Sequence, residues 1–77
     1  MVLTSVVIYV EPAQMEAAVE AIRAVEEVTV HDVLEGYKVV ALAEADDVQK
    51  AHEIIGQSLP SLPGVLGVYL VEAHYDA

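Results

Sequence analysis

The stretch EVTVHDVLEGYKVVALA, residues 27–43, decides the fold. From Glu27 to Val33 it alternates, with Val28 and Val30 set between Thr29 and His31, and a period of two is that of a half-buried strand. Leu34-Glu35-Gly36 supplies a tight turn, and Tyr37 to Ala43 reads as the next strand. So short a connection implies an antiparallel hairpin. In its second arm Lys38, Val40 and Leu42 share one parity, while Val39, Ala41 and Ala43 share the other. Lys38 argues that its own parity faces water; the larger side chains of Val40 and Leu42 argue the reverse.

Working outward, a strand and a helix flank the hairpin on each side. Leu3 to Val10 is rich in β-branched residues and ends at Glu11-Pro12, a strand followed by a helix start. Val6, Ile8 and Val10 form one of its faces; Ser5, Val7 and Tyr9 form the more polar one. Ala13 to Val25 carries Met15, Ala18, Val19, Ile22 and Val25 at helical spacing, with Gln14, Glu16, Glu20 and Arg23 opposite. Glu16 and Glu20 are within reach of Arg23 on such a helix.

Beyond the hairpin, Asp46 is the expected N-cap, with Asp47 in the first turn. The helix is expected to run to about Leu59, burying Val48, Ala51, Ile55 and Leu59. Gly56 weakens its middle, and close packing against the neighbouring helix is its expected use. Pro60 and Pro63-Gly64 turn the chain into a last strand, Val65 to Tyr75. There Leu66, Val68 and Leu70 point one way and Gly67, Tyr69 and Val71 the other.

The order is therefore βαββαβ, an α+β chain expected to form a single domain over residues 1–77. Right-handed crossovers put both helices on one face of a four-stranded antiparallel sheet. No helix is left to cover the other face.

Composition narrows what that face can do. Thirteen acidic residues stand against three basic ones (Arg23, Lys38, Lys50), a net charge of −10. No basic patch exists to neutralise phosphates, so nucleic acid is not an expected partner. A cationic peptide is compatible, and the acidity also serves to keep a chain that is 56% apolar in solution. Cysteine is absent, which excludes a disulfide-stapled framework. Met1 to Ser5 shows no cationic targeting segment, and apolar runs such as Val6–Val10 fall far short of the ~20 residues of a membrane span. A cytoplasmic protein with no stable membrane insertion is expected.

Catalytic chemistry finds no support in the residues. Ser5, Ser58 and Ser61 are scattered, as are Gly36, Gly56, Gly64 and Gly67, so neither a nucleophile set nor a phosphate cradle forms. His31, His52 and His74 lack metal-ligand spacing. Glu26-Glu27 and Asp46-Asp47 are adjacent along the chain rather than convergent, and read as a turn and a helix start. Neither a metal nor a cofactor is expected.

The uncovered face is the candidate site. By parity it collects Ser5, Val7 and Tyr9, then Thr29 and His31, then Gly67, Tyr69 and Val71, with Lys38 if its parity is the open one. Two tyrosines beside an apolar strip, with Gly67 leaving room for close approach, suit an amphipathic partner segment. Homodimerisation through the same face, or tyrosines simply covering a half-wet sheet, is the alternative account of these residues. Glu11, Glu27 and Glu72 stand near its rim or at strand ends, where they could hold an arginine of the partner; ordinary solvated carboxylates are the plainer account.

Certain segments also carry a resemblance. Ser5-Val6-Val7-Ile8 opens the first strand, Val28-Thr29-Val30-His31-Asp32 leads to the Gly36 turn, and the apolar third strand runs into Ala43-Glu44-Ala45-Asp46. The ending Pro63-Gly64-Val65-Leu66-Gly67-Val68-Tyr69-Leu70-Val71, followed by His74, is the most telling piece. In these, over roughly residues 3 to 75, the chain resembles the NapD family of cytoplasmic maturation chaperones of the periplasmic nitrate reductase. The resemblance implies a ferredoxin-like fold whose exposed sheet binds the twin-arginine signal peptide of an exported molybdoenzyme precursor. It further implies that binding holds back export while the molybdenum cofactor is inserted into the client. Tyr9 and Tyr69 stand where smaller or more polar residues are expected, which leaves the client open between nitrate reductase and another exported redox enzyme. A second class of function, a small-molecule regulatory or oligomerisation module, uses the same fold.

Overall fold

β1 (Val2–Val10) is a central strand of the computed structural model, which describes residues 1–75. Its alternation is realised without a break: Val2, Thr4, Val6, Ile8 and Val10 are buried, and the residues between them are half-buried. Pro12–Gln14 form a single 3₁₀ turn, entered at Pro12 because proline has no N–H to leave unpaired there. α1 (Met15–Arg23) follows and sets Ala18 and Ile22 into the core, with Met15, Val19 and Val25 packed at its margin. Arg23 has no carboxylate at ion-pair distance among the described residues.

β2 (Val28–Leu34) and β3 (Lys38–Ala45) form the expected antiparallel hairpin. Glu35 (φ 56°) and Gly36 (φ 77°) are its two central turn residues, and the Tyr37 N–H donates to the Leu34 carbonyl at 3.2 Å. Two left-handed residues in succession make a type I′ turn, whose twist matches that of the strands it joins. In β3, Val39, Ala41, Ala43 and Ala45 are buried, so Lys38, Val40 and Leu42 lie on the other face. The small alanines are the ones beneath the helices.

α2 (Val48–Glu53) begins one residue later than expected. Asp47, not Asp46, is its N-cap, and its carboxylate accepts from the Lys50 N–H at 2.8 Å. After Glu53 the chain widens into a π-helical turn, Ile54–Ser58, in which the Leu59 N–H donates to the Ile54 carbonyl at 2.9 Å. The wider turn rotates the buried set. Ala51, Ile54 and Leu59 are fully inside, Ile55 only partly, and Val48 is 43% exposed. The expectation for Ile55 assumed uninterrupted 3.6-residue periodicity, which the π-helical turn breaks; Val48, the first residue of α2 and upstream of that turn, is exposed at the helix start. Gly56 has nothing within 4 Å of where a side chain would start, so it is not a point of close helix packing.

β4 (Val65–Tyr75) completes the sheet in the order β2-β3-β1-β4, every neighbouring pair antiparallel. The fold is thus the ferredoxin-like α+β sandwich, with both helices packed over the face that carries Val6, Ile8, Val39 and Ala41. Burying each such Val or Ile contributes about 1.5–3 kcal/mol. Among the described residues no helix is long and apolar enough to cross a membrane.

Candidate functional site

Registers fix which residues share the uncovered face. Tyr9 stands opposite Lys38 on one side and Gly67 on the other; Val7 opposite Val40 and Tyr69; Ser5 opposite Leu42 and Glu72; Leu3 opposite Glu44 and His74. From β2, Thr29 pairs with Leu42, Asp32 with Val40, and Leu34 with Lys38. At about 3.3 Å per residue the face is ~20 Å long from Leu3 to Tyr9, and at 4.8 Å per strand it is ~15 Å wide.

The two ends of this surface differ in chemistry. At one end three tyrosines meet. Tyr9 takes Tyr69 edge-on, centroids 5.3 Å apart at 90°, and lies 6.0 Å from Tyr37. Lys38 places its ammonium 5.2 Å from the Tyr37 ring centre and 6.0 Å from that of Tyr9, and reaches the Glu35 carboxylate at 3.6 Å. The Tyr37 hydroxyl foremost, and the Glu35 carboxylate after it, raise the Lys38 pKa, so this ammonium stays charged at neutral pH. Between the tyrosines and β4, Val7, Tyr9, Tyr69 and Val71 line a shallow, mostly apolar groove of about 460 Å³. Tyr69 (60% exposed) and Val71 (64% exposed) form its outer wall.

The opposite end is acidic. Glu44, Glu26, Glu27 and Asp46 border one depression beside the start of β1. Glu72 lies one strand away and meets the His74 imidazole at 3.0 Å. Glu26, Glu44 and Asp46 have no cationic side chain at ion-pair distance among the described residues.

Ser5, Val7, Tyr9, Thr29, Lys38 and Tyr69 all lie on this one face, as their parities imply. His31 departs from the pattern. The ladder shifts between Val30 and Asp32, leaving His31 as the extra residue of a bulge, after which Asp32 takes the open-face position. Val71 is likewise the extra residue where pairing steps from Val6–Leu70 to Ser5–Glu72, yet it still lines the groove. Leu66 occupies a second bulge and is 68% exposed, so it does not share the environment of Val68. The room expected above Gly67 is taken. The Tyr69 ring fills it, with Cε2 3.0 Å and the hydroxyl 3.2 Å from where a Cβ would stand.

The three carboxylates proposed as arginine partners are not gathered together. Glu11 follows β1 at the tyrosine end, where its N–H donates to the Gly64 carbonyl at 2.8 Å. Glu27 precedes β2 at the acidic end and pairs with Lys50 of α2 at 3.8 Å. Only Glu72 sits within the face itself. Leu3, Tyr37, Val40, Leu42 and Glu44 belong to the same surface and complete it. Leu3 continues the parity of Ser5, Val7 and Tyr9, and Glu44 continues that of Lys38, Val40 and Leu42, so both were within reach of the alternation.

A βαββαβ sandwich with one helix-free face, aromatic and apolar at one end and carboxylate-rich at the other, is a domain of the ferredoxin-like class. The model of the NapD protein family matches residues 1–77, and the chain belongs to that family. Among curated proteins none matches it. Two solved structures resemble it over nearly the whole of this chain. The crystal structure of TTHA0845 from Thermus thermophilus has 28% identity and a TM-score of 0.83, covering 100% of this chain and 96% of that one. The solution structure of the E. coli Tat proofreading chaperone protein NapD has 21% identity and a TM-score of 0.81, covering 97% and 78%. The fold extends to a transcriptional regulatory protein of the AsnC family from Pyrococcus furiosus, at 17% identity and a TM-score of 0.73 over 91% of this chain and 49% of that one.

Proposed function

We propose that this protein is a chaperone whose open sheet face binds the twin-arginine signal peptide of an exported redox-enzyme precursor. The client that family membership favours is the catalytic subunit of periplasmic nitrate reductase. One observation carries the reading: the apolar groove of Val7, Tyr9, Tyr69 and Val71 shares a face with Glu44 and Glu72. A twin-arginine signal is cationic and then apolar, so it offers a match to both. Apolar area supplies affinity, and charge-assisted hydrogen bonds from guanidinium groups supply selection. Bound in this way, the signal is withheld from export until the client has received its cofactor. The protein itself then needs no catalytic group.

Calorimetric titration with a synthetic twin-arginine signal peptide tests this. A dissociation constant in the micromolar range or tighter, weakening as salt rises, is the expected result. A peptide with both arginines replaced by glutamine should bind several-fold less well. Lack of saturable binding at millimolar peptide overturns the reading.

The competing reading, a regulatory or oligomerisation module, draws on the exposed Leu66, Leu70 and Val71 of the edge strand β4. It requires a ligand-dependent change of oligomeric state without peptide binding, which sedimentation measures directly.

A further inference from the structure

We infer that the face binds its peptide in one direction only, with the arginine pair over Leu3, Glu44, Glu72 and His74 and the apolar stretch running toward Tyr9, Tyr69 and Val71. The inference rests on the peptide-binding reading above and adds an orientation to it.

Two features at opposite ends of β1 impose the direction. At the far end from the tyrosines, Glu44 has no cationic partner among the described residues, and Glu26, Glu27 and Asp46 add negative potential around it. An arginine arriving there meets five carboxylates, those of Glu26, Glu27, Glu44, Asp46 and Glu72, which outnumber Lys50 on Glu27, His74 on Glu72 and the N-terminal Met1 at the rim. At the tyrosine end the aromatic faces that would otherwise attract a guanidinium already carry Lys38, whose ammonium stands over both Tyr37 and Tyr9. Its carboxylate partner, Glu35, is engaged with it at 3.6 Å. A peptide laid down in reverse would bring its arginines against a resident cation, with Glu11 as a single further acid, and set its apolar part over the five acids of the other end. Like-charge juxtaposition and unpaired carboxylates both penalise that arrangement.

The dimensions agree. A span of ~20 Å from Leu3 to Tyr9 accommodates about 13 residues of helix at 1.5 Å each, or about six of strand at 3.3 Å. A helix about 10 Å across lies within the ~15 Å width of the sheet. An arginine pair followed by a dozen apolar residues would therefore reach from the acidic end to the groove as a helix; as a strand it would overrun the sheet.

The chain contains no cysteine, so a nitroxide attached to a single cysteine of the peptide cannot exchange onto the protein. Two peptides are needed, one labelled just before the arginine pair and one at the end of the apolar stretch. With isotope-labelled protein, the first label should broaden the amide signals of Leu3, Glu44 and His74 most strongly, and the second those of Tyr9, Gly67 and Lys38. Equal broadening from both labels, or the reverse gradient, overturns the orientation and leaves peptide binding intact. Failure of either peptide to bind at all overturns both. A second measurement uses Glu44→Gln combined with Glu72→Gln, both exposed and so compatible with folding. Affinity for the twin-arginine peptide should fall by about threefold to tenfold. Affinity for the version with glutamines in place of the arginines should change less than about twofold. An equal loss for both peptides overturns the placement of the arginines.

Discussion

The Tyr69 ring lies back over Gly67, its Cε2 3.0 Å from the position a Cβ would occupy there. That fold-back presents the ring edge to Tyr9 at 90° and 5.3 Å, and so builds the wall of the apolar groove from two residues of β4 and two of β1. Glycine is needed at 67 because of a neighbour two residues along its own strand.

Gly67→Ala should therefore act on the groove more than on the fold. The new methyl meets the far end of a rotatable side chain, which swings away, so unfolding should shift by less than about 1 kcal/mol. The Tyr9–Tyr69 contact is lost in the process. Near-ultraviolet circular dichroism should show a diminished tyrosine signal, and affinity for a twin-arginine peptide should fall several-fold. An unchanged dichroism spectrum means that the ring did not depend on the glycine.

Tyr69 and Ile8 test the two faces against one another. Tyr69 is 60% exposed, whereas Ile8 is fully buried on the opposite face of β1, adjacent to Val7. Tyr69→Ala should lower thermal stability only slightly, by about 1 kcal/mol or less, and remove most peptide affinity. Ile8→Ala should cost about 2–5 kcal/mol, enough to threaten folding of so small a chain. Denaturant unfolding of both variants makes the comparison, and a Tyr69→Ala that unfolds like Ile8→Ala would mean that the groove is structural.

The hairpin at residues 27–43 made the topology legible because turn chemistry and a period of two agree there. The two-helix, four-strand order then followed from chain connectivity. The ambiguous parity of β3 had a physical cause. Beyond Val39, its core positions are Ala41, Ala43 and Ala45, small because helices press on them, while Val40 and Leu42 occupy the open face. Size alone misleads where packing demands small residues. His31 and Val71 fell outside simple alternation because a bulge adds one residue, and nothing in their side chains announces it. Gly56 was read for a contact it does not make, since the π-helical turn around it was invisible in the periodicity.

Two glycines should respond to alanine with opposite signs. Gly56 lies in the helical turn Ile54–Ser58 with open space around it, so Gly56→Ala should stabilise by about 0.5–1 kcal/mol through helix propensity and a less free unfolded chain. In a chain of this size that is a rise of several degrees in Tm. Gly64 has φ 79°, and a Cβ there would stand 3.0 Å from the Gln14 Cβ and 3.3 Å from that of Ala18. Gly64→Ala combines a left-handed backbone with a clash against the 3₁₀ turn at Gln14 and against Ala18 of α1, and should destabilise by about 1–3 kcal/mol. Calorimetric melting of both variants reads the signs.

Lys38 gives a prediction in pH. Its pKa is raised above 10.5, first by Tyr37 and then by Glu35, so the folded protein holds this proton more tightly than the unfolded chain does. The sign follows from linkage: the contribution is fully present below the unfolded value and is lost as pH climbs through the folded one. Removing the charge with Lys38→Gln should therefore lower the urea midpoint by a constant amount from about pH 7 to pH 9, and the gap between variant and parent should close above about pH 10.5. The ammonium lies on the uncovered face of the sheet, where solvent reaches it, and salt should shrink the gap at every pH. A gap that widens on raising the pH would mean that the ammonium is held against, and not by, its surroundings. Lys38 would then no longer account for why arginines avoid the tyrosine end.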